Sequence, residues 1–265
     1  MRKYLAVTST LFKAQLVYRF EVAMTAVSSV GTVLFAWVLW GAAFSERTAI
    51  GGFTYQDMLS YYVISSFIVS IDKSNNVCFE VSKKIRGGTF SKYMTIPANP
   101  QLYFLFQSFG VSAYYALFAL LSALFSVGAF GVKLSFSSDP ASVLCAILLV
   151  PLGISFMVSL RYFIGLLTFK FQDIGFFIHV QSGSVTFITG SIIPIVLLPK
   201  TVQSILRFLP FSHVIYTPAA LLTGQTDATA GFSGLLVLLG WTAIMAVMNE
   251  AVYNRLRVKF DGVGV

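Results

Sequence analysis

The sequence predicts an all-α membrane protein of six transmembrane helices, multi-pass in the inner membrane, with both termini cytoplasmic. Three observations predict it. The 265-residue chain is 57% hydrophobic and only 11% charged, against roughly 25% charged in an ordinary globular chain; a bilayer can solvate that much apolar surface and a single soluble core cannot. The apolar residues gather into runs near the about 20 residues that cross a hydrocarbon core of about 30 Å. With the N-terminus placed inside, the Lys and Arg residues divide fourteen inside to four outside, which is the bias that sets membrane orientation. Both termini inside requires an even number of crossings, and six fits.

The elements follow in order along one transmembrane domain, 1–265. Residues 4–20, within an arm at 1–20, read as an amphipathic helix with Leu5, Phe12, Leu16 and Phe20 close to one face, suited to the membrane interface. Lys13, Gln15, Arg19 and Glu21 interrupt any signal-peptide core, so this arm is expected to be retained. The first span covers 22–44 and closes in Trp37 and Trp40, which suit the headgroup boundary. The second covers 58–71. Residues 72–100 form the longest polar stretch. The third span is 102–130, the fourth 141–169 after Pro140, and the fifth runs from 174 to 198. Residues 199–225 are apolar but broken by Pro199, Pro210, Pro218 and Gly224. Pieces of about ten residues are too short to cross, so a re-entrant hairpin dipping in from outside is expected. The last span is 232–253, followed by the basic tail Arg255, Arg257 and Lys259.

Several function classes are excluded or disfavoured. No G-x-x-x-x-G-K-[ST] loop occurs; Gly87-Gly88-Thr89 ends a helix and cradles no nucleotide. The net charge of +8 sits in flanks of apolar runs, without the basic stripe and interleaved aromatics of a nucleic-acid surface. Cys78 and Cys145 lie far apart with no C-x-x-C, so neither a metal site nor a disulfide is expected. Gly231-Phe232-Ser233-Gly234 matches an intramembrane-protease pattern, but His179 and His213 both precede the serine where a later base is needed. His213 is expected to pack within the Pro-rich hairpin and His179 to make a polar helix contact. Arg161 can snorkel toward the cytoplasm, while Glu21 and Glu250 sit at span ends. No carboxylate is expected at mid-membrane, which disfavours ion coupling.

The stretch 73–100 is the most informative. Ser74, Asn75 and Asn76 offer helix-start residues. Val77, Val81 and Ile85 recur at i, i+4 and i+8, while Glu80, Lys83, Lys84 and Arg86 fill the other faces, and Gly87-Gly88 ends the helix. This predicts a short cytoplasmic helix between two spans. It either docks into a groove on a soluble subunit or stays a solvated basic loop.

The run Ile85-Arg86-Gly87-Gly88-Thr89-Phe90-Ser91-Lys92-Tyr93-Met94, then Pro97 and Pro100, resembles the loop after the second span of type-2 ABC exporter permeases. Gly190-Ser191-Ile192-Ile193-Pro194 followed by Leu198-Pro199 is similar to the outer end of their fifth span. Leu209-Pro210-Phe211, Tyr216-Thr217-Pro218 and Leu222-Thr223-Gly224 continue the likeness. The resemblance implies a subunit that is no enzyme and holds no cofactor. ATP and Mg would be bound by a cytoplasmic ABC ATPase, two copies per assembly, and a second permease, homologous or identical, would complete the pathway. It implies that Val77, Glu80, Val81, Lys83, Lys84, Ile85, Arg86 and Gly88 form the coupling helix to the ATPase. The arm at 4–20 would be a connecting helix along the interface. Gly190, Pro194, Pro199, Pro210, Phe211, Tyr216, Pro218 and Gly224 would shape an outer gate. The 26 Phe and 12 Tyr favour an amphiphilic or hydrophobic cargo, such as a drug, peptide or lipid-linked molecule, although the same residues also face lipid. Two alternatives stand beside this reading: a membrane anchor or sensor that recruits a soluble partner, and an ion-coupled secondary transporter.

Overall fold

The computed structural model describes residues 2–95, 99–171 and 173–257, with only the backbone of Met94 and Thr95. Pro97 of the proline-terminated turn and Lys259 of the tail lie outside the described residues. Among these residues the architecture is helical: α1 (Arg2–Ala14), α2 (Arg19–Ala43), α3 (Tyr55–Ile71), α4 (Asn75–Arg86), α5 (Ser91–Thr95), α6 (Pro100–Phe130), α7 (Pro140–Leu166), α8 (Gly175–Ile188), α9 (Lys200–Phe208), α10 (Tyr216–Leu222) and α11 (Ala228–Leu256). Four of them, α2, α6, α7 and α11, are long and apolar enough to cross a membrane; α9 and the segment Pro210–Leu222 make a pair bent by 83° that counts as at most a fifth.

Local chemistry sets the boundaries. Thr54 and Asp57 form a reciprocal capping box at the start of α3, which satisfies two of the donors a helix N-terminus leaves free. Asn99 accepts from Leu102 N–H at 3.2 Å and Asp139 from Ala141 and Ser142 N–H at 3.2 and 3.1 Å. Pro100 and Pro140 follow these caps at the first helical position, where a missing N–H removes no helical bond. Gly131 ends α6 in the left-handed region, φ 61°.

Two elements differ from the sequence expectation. The arm is helical only to Ala14, passes through a 3-10 turn at Gln15–Val17, and restarts at Arg19. One face of α1 lies on α6: Thr8 Oγ1 donates to Phe106 O at 2.9 Å and Tyr4 stacks on Phe106. A Cβ at Gly110 would come within 2.4 Å of Thr8 O. Leu5, Leu16 and Phe20 stay exposed. The fifth run is not one helix. Its helical part, α8, has 14 residues, and the chain then turns through Gly190 at φ 82° into a 3-10 turn at Ile195–Leu197. Tertiary bonds override apolar periodicity there: Tyr61 Oη donates to Gly190 O at 2.7 Å, Tyr62 Oη donates to Ile192 O, and Tyr216 N–H donates to Thr189 O.

Helix α7 is the hub. It makes its most extensive contact with α11. Ala146, Leu149, Phe156 and Met157 pack with Val214, Ile215, Ala219 and Leu221 of the hairpin, while Val158, Tyr162 and Leu166 pack with Val77, Val81 and Ile85 of α4. Helices α2, α3 and α6 form a second group. Twelve of the 17 residues of α3 are buried, so α3 meets protein and not surroundings on most of its surface.

Candidate functional site

Helix α4 is the first predicted site. Its apolar stripe, Val77, Val81 and Ile85, is buried on α7; a Cβ at Gly165 would come within 2.8 Å of Val81 Cβ, so α4 and α7 are as close as a glycine permits. The stripe is therefore spent inside the chain. Glu80 is half-buried, pairs with Lys84 at 2.9 Å and accepts from Gln107 Nε2 of α6. Lys84 Nζ sits 5.2 Å from the centre of the Tyr93 ring. Burial opposes its charge, but hydrogen bonds with Tyr93 and Glu80 outweigh that and hold the ammonium above its ordinary range. Lys83 and Arg86 remain exposed, and Phe79, 56% exposed, shares their face at i, i+4 and i+7. Phe79 did not stand out in the sequence; a phenylalanine one turn from two basic residues and off the Val/Ile stripe is the signal that could have found it. Gly88, φ 69°, lets the chain fold back so that Phe90 N–H reaches Lys84 O at 3.0 Å.

The start of α4 is made differently from the sequence expectation. The Ser74 side chain gives no cap bond; Asp72 Oδ1 instead accepts the Ser74 N–H at 2.9 Å. Burial holds the Asp72 carboxyl above its ordinary range despite that bond and the nearby Arg161. Burial likewise lowers the neighbouring Lys73, whose Nζ lies 3.9 Å above the Tyr115 ring and 3.5 Å from Thr25 Oγ1. Burial pushes the Cys78 thiol up to about 11, so this cysteine stays protonated at neutral pH.

Arg161 does not snorkel. It is 3% exposed, donates from Nη1 to Ser182 of α8 at 3.1 Å, and its Nε has no partner among the described residues. Ser182 of α8 holds the guanidinium, where Cys78 of α4, Ile164 of α7 and Ile178 of α8 pack together. His179 is exposed on α8 and not in a buried helix contact.

The outer-gate set divides. Gly190 and Tyr216 meet, since a Cβ at Gly190 would lie 2.9 Å from Tyr216 Cβ and Tyr216 is 6.0 Å from Tyr61, while Phe211 packs edge-on to Phe156 of α7. Pro194, Pro199 and Pro210 each open a short helical turn, and Pro218 stands in the first turn of α10, where proline displaces no helical bond. Gly224, φ 73°, sits apart against Ser137. His213 packs within the hairpin, with Nε2 on Arg207 O at 3.0 Å and Nδ1 on Thr217 Oγ1 at 2.9 Å. Both nitrogens are engaged and Ser233 Oγ donates to Ala230 O, so the protease pattern is not assembled.

Among the described residues no group of His, Cys, Asp and Glu could hold a metal ion. Comparison with curated proteins returns no match. A family model described as "ABC-2 family transporter protein" matches residues 30–264, from α2 onward. That match takes in α4, its glycine turn and the whole hairpin, and the helices long and apolar enough to cross a membrane all reach into it. The chain belongs to the ABC-2 family of transporter proteins, the permease components that work with an ABC ATPase.

Proposed function

We propose that the chain is half of the translocation pathway of an ATP-driven exporter, in the inner membrane with both termini cytoplasmic. In this reading six segments cross. Helix α3 crosses within the protein, and α8 with the irregular turn after it makes the fifth crossing, while 199–225 dips in from outside. A second permease, homologous or identical, completes the pathway, and two copies of the ATPase bind ATP and Mg. The chain itself does no chemistry. The cargo is amphiphilic.

The observation that carries the reading is the division of labour on α4. Its apolar face grips α7 at Gly165, and its outward face carries Phe79, Lys83 and Arg86. A push on the outward face reaches α7, and α7 joins α4 at one end to the hairpin at the other. A rigid connection of this kind lets closure of soluble subunits bias a two-state bundle. Val77, Val81 and Ile85 then act as the grip on α7, and Glu80 and Lys84 as the tie to α6. The exposed side chains touch the ATPase. The test is purification of the tagged chain in mild detergent after co-expression with its genomic neighbours, followed by mass spectrometry and an ATPase assay. A stoichiometric P-loop ATPase is expected; a clean preparation without one overturns the reading in favour of an anchor or secondary transporter.

A further inference from the structure

A groove of about 560 Å³ runs between α2, α3 and the turn after α8, within the roughly 300–1,000 Å³ typical of small-molecule sites. Its walls are hydroxyl-rich. Thr25 and Thr32 from α2, Ser66 from α3, and Thr186 and Ser191 beyond it all line it. Each donates its proton to a nearby backbone carbonyl, at 2.8–3.1 Å. Their oxygens still have lone pairs, so this wall presents acceptors. Two further hydroxyls differ. Ser29 and Ser70 line the groove and are 5% and 6% exposed, yet neither has a hydrogen-bond partner among the described residues. Buried hydroxyls are ordinarily bonded, and these two open onto the groove with donor and acceptor both free for a ligand.

Charge is confined to one end, at Glu21, Asp72 and Lys73. Lys73 already faces Glu21, the Tyr115 ring and Thr25. The phosphodiester of an anionic head brings only acceptors to an acceptor wall, and its charge meets two carboxyl groups nearby with the one cation engaged. A quaternary ammonium brings no donor. A head bearing several hydroxyls brings both donors and acceptors. Met24, Val69 and Ile192 also line the groove and are 41–46% exposed as a set with Ile193 beside them, an apolar rim compatible with acyl chains.

We propose that this groove takes the uncharged, hydroxyl-rich head of a lipid-linked molecule, such as a glycosyl lipid, while its tail stays at the apolar rim. The proposal rests on the export reading for what happens next, and names the cargo class within it.

The test uses the purified permease–ATPase complex in nanodiscs and vesicles, with two fluorescent probes of identical tails: a glucosyl diacylglycerol and a phosphatidylglycerol. Fluorescence polarisation measures binding, and dithionite bleaching measures ATP-dependent transfer between leaflets. The glucosyl lipid is expected to bind about tenfold more tightly. Ser29→Ala with Ser70→Ala is expected to weaken it roughly fivefold or more, the loss of two modest hydrogen bonds, and to leave phosphatidylglycerol unchanged. Equal binding of both heads, or an unaltered glucosyl affinity in the double variant, overturns the proposal. If that variant does not fold, the head-group comparison on the unaltered complex still decides. Selective binding without ATP-dependent transfer overturns export and supports the groove chemistry; transfer that favours phosphatidylglycerol overturns the groove chemistry and supports export.

Discussion

Gly165→Ala should lift α4 off α7. The added Cβ would stand 2.8 Å from both Val81 Cβ and Cγ1 and 3.3 Å from Cys78 O. Ordinary carbon–carbon contact is about 3.5–4.0 Å, so α4 must retreat by about 1 Å. Neither wall yields easily, because Val81 is branched at the offending atom and wholly buried. Overpacking of this kind costs about 1–3 kcal/mol. The matched control is Gly240→Ala in α11, where nothing lies within 4 Å of the new Cβ. There alanine should gain about 1 kcal/mol from helix propensity alone. The helix-propensity gain applies at both positions and cancels, so their difference, roughly 1–3 kcal/mol, isolates the α4–α7 contact. Thermal denaturation of the detergent-purified protein, read by size-exclusion fluorescence, measures it, and limited proteolysis between α3 and α6 reports whether α4 has loosened. In the complex, transport per ATP hydrolysed should fall in Gly165→Ala and not in Gly240→Ala. A Gly165→Ala protein that melts with the Gly240→Ala control and keeps its transport-to-hydrolysis ratio refutes both the packing argument and the lever.

Three further outcomes are expected. Lys83→Glu with Arg86→Glu should reduce recovery of the ATPase by about tenfold at low salt, as loss of rim charge at an interface does, with an unchanged melting profile; undiminished co-purification removes this face from the contact. Tyr61→Phe removes the donor to Gly190 O and leaves a buried carbonyl unmet, so stability should drop by about 1–3 kcal/mol, read as a lower midpoint than in a Tyr18→Phe control on an exposed tyrosine. Asp72 is raised by burial. An acid raised in the fold adds stability as pH falls through its folded pKa toward the ordinary 3.8 and loses it as pH rises. Asp72→Asn should therefore gain on the wild type at about pH 8, with the advantage closing toward about pH 4; a pH-independent difference would count against the buried charge.

Long apolar runs were the most legible part of the molecule. The first, third, fourth and last runs became α2, α6, α7 and α11, displaced by a few residues at their ends, because composition over 20 residues outweighs any single side chain. The proline breaks within 199–225, where short helices meet at 83°, were legible for the opposite reason: proline restricts the backbone locally and needs no tertiary partner. The end of the fifth run was not legible. Six of the ten residues 189–198 are Ile, Val or Leu, which hides the break, and Gly190 is drawn into a left-handed turn by Tyr61 and Tyr216, far away in sequence. Helix α4 was read correctly as amphipathic, but periodicity alone does not tell whether an apolar stripe faces its own chain or a partner. Only the approach of Gly165 answers that. Arg161 shows the same limit for charge. Its distance from the span end allowed snorkelling, and the closure of α8 through Ser182 prevents it.

The seat of α1 on α6 has a consequence for synthesis. Thr8 and its acceptor Phe106 are 98 residues apart, so during synthesis α1 has no place to dock until the third long apolar run emerges. At about 5–20 residues per second that delay is roughly 5–20 s. Through it α1 presents Leu11, Phe12 and the hydroxyl of Thr8 with no protein to receive them. An amphipathic segment in that position rests on the membrane surface, and α1 can wait there until the bundle takes it up.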